Sequence, residues 1–216
     1  MPPTIAHVVY DVETVGLLGP VWAIAWVGLD ARGDEIAAGV AWADPAEVAR
    51  EAGMPDAEAA PALAWEGCRI AREALASERP ATTPAGVLRA LWSAWADTAK
   101  PAGALLWCDV AYPCDAPALA AAHRLAVQEG RASPFDGPFP LGDVAQRLGG
   151  DLGHGTQPDG AHHPLVDARW SANRLRRALR LEPRATNCEG GHDNIHLGGP
   201  QLQCRRCGVI STLGTW

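Results

Sequence analysis

The chain has 216 residues, 25 acidic against 18 basic side chains, a formal charge of −7, 48% hydrophobic residues and six cysteines. That length suits one domain with a real core plus a small appendage, and the apolar fraction excludes a wholly disordered chain. No apolar run approaches the ~20 residues of a membrane span, and Met1-Pro2-Pro3-Thr4 lacks the basic patch and apolar core of a signal peptide, so a cytoplasmic protein without membrane contact is expected.

Ile5 to Val12 is apolar and β-branched and reads as a strand. Pro20 to Leu29 reads as a second strand, with Trp22, Ile24 and Trp26 on one face, and Glu35 to Trp42 returns as a third after the turn signal Ala31-Arg32-Gly33-Asp34. The alanine-rich middle, punctuated by Pro45, Pro55, Pro61, Pro80 and Pro84, predicts helices around 61–78 and 84–99. Ala104 to Cys108 is a short buried strand, and 116–129 a helix. A Pro/Gly-rich loop over 133–142 leads to a short helix from Asp143 to Leu148. Residues 149–161 read as a loop, and a last helix starts at Pro164, proline being well placed in a first turn, and ends near Leu181. Beyond it the composition turns to Gly, Cys and His, which sets a boundary near 183 between a main domain, 1–182, and a tail, 183–216.

Three fragments carry chemistry. In Val8-Val9-Tyr10-Asp11-Val12-Glu13-Thr14, alternation puts Asp11 and Glu13 on one strand face. Two carboxylates there repel, which a hard divalent cation would relieve; a strand end fraying into solvent is the plainer reading. In His162-His163-Pro164-Leu165-Val166-Asp167, a helix-borne carboxylate follows a loop histidine able to take a proton from water near neutral pH. The plainer reading there is a carboxylate favoured by the helix dipole. Between these fragments lies Asp115, after a strand and before a helix, where an N-cap is the simpler role; Asp109 is its rival.

The order of these fragments, D-x-E on the first strand, an Asp after a later strand, then H-x4-D opening the last helix, resembles the DEDDh family of 3′→5′ exonucleases in the ribonuclease H-like superfamily. The resemblance covers roughly residues 5–181. "YDVET-G" is similar to the first family motif and "HHPLVDAR" to the third, most closely in the small bacterial and phage exoribonuclease-type members. It implies an α/β fold, a mixed sheet with antiparallel first three strands and then parallel strands, flanked by helices. It implies that Asp11, Glu13, Asp115 and Asp167 hold two Mg²⁺ or Mn²⁺ ions, and that His162 is the general base, with His163 a neighbour. Thr14, Gly16 and Leu17 would meet the terminal nucleotide, and Leu17 and Leu18 are either apolar wedges or core. The activity implied is metal-dependent hydrolysis of single-stranded nucleic acid from its 3′ end to nucleoside 5′-monophosphates, RNA favoured over DNA. Two alternatives stay open: a catalytically silent nucleic-acid-binding protein on the same fold, and an enzyme for very short oligonucleotides or nucleotide conjugates. The second motif departs from the family pattern, which keeps Asp109 in contention. The sequence leaves a monomer and a homodimer both open.

Cys68, Cys108 and Cys114 lack metal-ligand spacing and read as reduced thiols. In the tail, Cys188-x3-His192 and Cys204-x2-Cys207-Gly208 have the spacing of a tetrahedral Cys₃His zinc site, with His196 as rival to His192. A disordered tail or a redox pair are the alternatives. Of the nine tryptophans, Trp22, Trp26, Trp92 and Trp95 read as core. Charge is also uneven: residues 1–167 hold 22 acidic and 10 basic side chains, residues 168–216 hold 3 and 8. Arg169, Arg174, Arg176, Arg177 and Arg180 on the last helix, with Arg205 and Arg206, are available to phosphate or to surface ion pairs.

Overall fold

The computed structural model describes residues 4–78, 80–136, 141–150, 162–181, 194–196, 201–204 and 210–212. Strand β1 (Ile5–Thr14) is flanked on one side by β2 (Val21–Asp30), itself followed by β3 (Glu35–Trp42), all antiparallel. On the other side of β1 lie β4 (Leu105–Cys108) and β5 (Leu141–Asp143), both parallel, giving a mixed five-stranded sheet in the order β3-β2-β1-β4-β5. The Asp30 carboxylate accepts from the backbone N–H groups of Arg32 and Asp34, and Gly33 takes a positive φ of 93°, which closes the β2–β3 turn.

Helices cover both faces. They run in chain order as α1 (Pro45–Glu51), α2 (Asp56–Ala64), α3 (Glu66–Glu78), α4 (Pro84–Ser93), α5 (Lys100–Ala102), α6 (Ala116–Gln128), α7 (Val144–Arg147) and α8 (Pro164–Leu179). A wider π-helical turn, Ala94–Ala99, joins α4 to α5, and another, Ala111–Asp115, leads into α6. Period-two alternation along β1 and β2 divides the core. Val8, Tyr10, Val12, Trp22 and Ile24 enter the larger cluster, with Leu75, Leu91, Trp92, Trp95 and Leu119 from the helices. Val9, Val27 and Leu29 enter the smaller one, beneath Val144, Ala172 and Leu175 of α7 and α8.

The helix expected over 61–78 is in fact two helices. Asp56 and Glu58 favour an earlier start at the positive helix end. Trp65, with extended backbone (φ −61°, ψ 135°), then interrupts the run between α2 and α3. Helix α1, capped by the Asp44 side chain on Ala46 N–H, and the three-residue strand β5 were not read from the sequence. In the tail, β6 (Asn194–His196), β7 (Gln201–Cys204) and β8 (Ile210–Thr212) form a separate three-stranded antiparallel sheet, where the sequence suggested none. No helix among the described residues is long and apolar enough to cross a membrane.

Candidate metal centre

Asp11 and Glu13 continue the face of β1 that Val9 buries under α8. The last pair between β1 and β4 is Val9 with Trp107, so both carboxylates lie beyond the paired stretch, at the carboxyl ends of the parallel strands. Their partner comes from α8. Within the candidate centre, Glu13, His162 and Asp167 each offer a ligand atom, all within 4.8 Å of one another. Asp11 and Asp115 flank this triad. Burial raises the Asp11 carboxyl well above the ordinary carboxylate range, and the charges of Asp167, Glu13, Asp115 and Asp109 push it further. Glu13 is raised in the same way, by burial first and then by Asp167 and Asp115. A group of acids that resist ionising together needs either protons or cations, and an all-oxygen set with one imidazole is a donor set for a hard divalent ion. The residues present therefore fit Mg²⁺ or Mn²⁺.

The start of α8 gives its two histidines different work. His163 is buried and caps the helix: its Nδ1 accepts from Leu165 N–H at 3.2 Å. The ring proton then sits on Nε2, which donates to Glu78 Oε2 at 3.3 Å and ties α8 to the end of α3. His162 has a left-handed backbone, φ 78°, and its N–H donates to Asp167 Oδ2 at 2.7 Å. Burial lowers the His162 pKa, which favours the neutral ring that a base requires.

Asp115 and its rival Asp109 are separated by their partners. Asp115 is only 6% exposed and makes no side-chain cap on α6, which removes the simpler reading of it. Burial raises its carboxyl strongly, Asp109 and Asp143 add to this, and bonds from the Val12 backbone and the Cys108 side chain work the other way. The Tyr10 hydroxyl donates to the Asp115 carbonyl at 2.9 Å and fixes the backbone there. Asp109 instead pairs with Arg174, which is fully buried and lies 4.6 Å from the centroid of the Trp170 ring. Asp143 is committed to backbone, accepting from Ala111 N–H at 2.9 Å and capping α7 at Gln146 N–H.

After the first motif the chain turns sharply. Gly16 has φ 70°, the Thr14 hydroxyl donates to its carbonyl at 2.6 Å, and a side chain at Gly19 would place Cβ 1.8 Å from the Val15 carbonyl oxygen. The Cys114 thiol donates to the Leu17 carbonyl at 3.0 Å, a tie with no sequence signal. Leu17 and Leu18 are 70% and 77% exposed, so they are not core. Beside them opens a cleft of about 560 Å³ whose walls include Thr14, Leu17, Pro113, Cys114 and Arg124.

The basic face expected on α8 is largely spent within the protein. Arg174 is the buried partner of Asp109, Arg169 pairs with Glu35 at 2.8 Å, and Arg176 donates to the Gly33 carbonyl at 2.7 Å and to Asn173. Arg177 and Arg180 are exposed. Trp22, Trp92 and Trp95 are core as read, and Trp26 is half-buried against Gly39. Cys188, His192, Cys207, Arg205 and Arg206 lie outside the described residues; Cys204 ends β7 and His196 ends β6. In comparisons with protein-family models, curated proteins and solved structures, nothing matches the chain.

Proposed function

We propose that this protein is a metal-dependent 3′→5′ exonuclease of the DEDDh type, on a ribonuclease H-like sheet, acting on single-stranded nucleic acid. The observation that carries the reading is the convergence of Glu13, His162 and Asp167 within 4.8 Å, with half-buried Asp11 and buried Asp115 close enough for their charges to act on this set. Asp11, Glu13, Asp115 and Asp167 would hold two Mg²⁺ or Mn²⁺ ions, which, when bound, supply Lewis-acid stabilisation of the phosphodiester and acidify water.

The chain's own residues do the rest. His162, kept neutral by burial, removes a proton from the attacking water, while its own N–H rests on Asp167 Oδ2 and fixes the backbone that carries the ring. Without cations the cluster repels a polyanion, because its carboxyls face chiefly burial and one another's charge. The exposed Leu17–Leu18 turn and the cleft beside it offer an apolar seat for a terminal nucleoside. RNA stands ahead of DNA on the sequence resemblance alone.

The test is degradation of 3′-tailed RNA and DNA oligonucleotides with Mn²⁺, Mg²⁺ or chelator, reading the released products. Shortening from the 3′ end with nucleoside 5′-monophosphate release, abolished by chelator and by Asp11→Ala, is expected. Binding without cleavage under all three conditions would establish the catalytically silent alternative instead.

A further inference from the structure

Trp65 stands at the break between α2 and α3 and is 53% exposed, whereas Trp22, Trp42, Trp92, Trp95 and Trp107 are buried. Its ring meets the His162 imidazole edge-on, with centroids 4.5 Å apart and planes at 70°. The following turn makes room for this pair. Gly67 is buried in α3, where alanine would ordinarily stabilise a helix by about 1 kcal/mol. A Cβ there would lie 2.6 Å from Trp65 Cη2 and 2.8 Å from His162 Cδ2. The wall also reaches the nucleotide side of the centre, since Ala62 of α2 approaches within 3.5 Å of the Cβ position of Gly16.

We infer that Trp65, seated over Gly67, is a positioning residue that holds the His162 imidazole beside Glu13 and Asp167. The reason lies in the backbone. His162 has a left-handed φ, and its main-chain N–H is tied to Asp167 Oδ2. That bond constrains the backbone and leaves both side-chain torsions to packing. Trp65 supplies a rigid aromatic surface on one side of the imidazole, with Glu13 and Asp167 near its ligand atom. An imidazole that turns away by about 1 Å loses its place for proton removal at a cost on the order of 10²-fold.

The consequence for turnover rests on the proposed exonuclease reading, so the experiment has one readout that does not. The His162 ring signals, assigned by their loss in His162→Gln, are followed by NMR in the full chain. They should carry a ring-current displacement that disappears in Trp65→Ala, persists in Trp65→Phe, and is altered in Gly67→Ala. In oligonucleotide hydrolysis, Trp65→Ala should lower kcat roughly 10- to 100-fold with little change in KM, and Trp65→Phe should recover most of it. In a His162→Ala background, adding Trp65→Ala should change kcat by less than about twofold, because a residue acting through the imidazole has nothing left to position. His162 signals indifferent to Trp65→Ala, a rise in KM alone, or an undiminished kcat effect in the His162→Ala background would each overturn the inference. If the wild-type chain hydrolyses nothing, the exonuclease reading falls, and the NMR comparison still decides whether Trp65 places the ring.

Discussion

Asp115 shows what a single buried carboxylate does for such a centre. It is 6% exposed, its ionisation is opposed by burial and by Asp109, and it does not cap its helix. A side chain with these surroundings destabilises the folded protein at neutral pH, and on the proposed reading a bound cation offsets that cost. Asp115→Asn, which keeps an acceptor for the Val12 N–H, should raise the stability of the metal-free protein by roughly 1 kcal/mol while abolishing Mn²⁺-dependent hydrolysis. Urea unfolding with chelator, paired with the oligonucleotide assay, checks both directions. A variant that loses stability and keeps activity would remove Asp115 from the centre. His163 is the contrasting case: it is adjacent to the proposed base, yet its ring is occupied by the Leu165 N–H and by Glu78.

At the scale of elements, helix α8 must be held in register with the ends of β1 and β4, because Asp167 sits at its first turn and Asp11 and Glu13 on the strand. Arg174, two turns along α8, is fully buried against Asp109 just beyond β4. Breaking that pair from one side leaves a poorly solvated charge behind. Arg174→Met should therefore cost about 3 kcal/mol, and the double variant Arg174→Met/Asp109→Leu should recover much of it, as measured by chemical denaturation. Equal losses in the single and double variants would mean that Arg174 matters through its packing on Trp170 alone. The tail has its own element-scale test. Cys204 closes β7, and if Cys188, His192 and Cys207 join it, purified protein should contain about one zinc per chain. Elemental analysis should show that zinc lost in Cys204→Ser/Cys207→Ser, and a metal-free wild-type tail would end the proposal.

At the scale of the whole molecule, the cluster couples folding to pH and, on the proposed reading, to metal. The carboxyls of Asp11, Glu13 and Asp115 are all raised, so the folded protein binds protons that the unfolded chain has already released. Their contribution is most favourable below the ordinary carboxylate values of about 4 and is lost as pH rises through the raised values. A divalent ion bound to the ionised cluster restores what deprotonation removes. The difference in Tm between Mn²⁺-loaded and chelated protein should therefore widen as pH increases above the ordinary carboxylate values. A difference that stays constant with pH would mean the ion binds elsewhere. The acidic total of −7 is in part the signature of this cluster, and the basic surplus after residue 167 is partly consumed by Glu35, Asp109 and the Gly33 carbonyl.

Periodicity made the sheet legible. The alternation Val8/Tyr10/Val12 against Val9/Asp11/Glu13 states which residues face which core, and the burial of β1 follows it, because a strand has only two faces. The turn at Asp30–Gly33 and proline at the start of α8 were equally local, and so equally readable. The shared face of Asp11 and Glu13 was fixed by two residues of spacing. The sequence alone left open whether Asp115 or Asp109 is the third carboxylate of the set, whether Leu17 and Leu18 are buried, and what Trp65 touches. Each of these depends on contacts between segments far apart in the chain: β4 with α8, the first turn with Cys114, the α2–α3 break with His162. Such contacts leave no periodic trace. Backbone geometry and alternation are written locally in the residues, whereas the partner that neutralises a charge or flanks a ring is chosen only when the sheet and α8 close on one another.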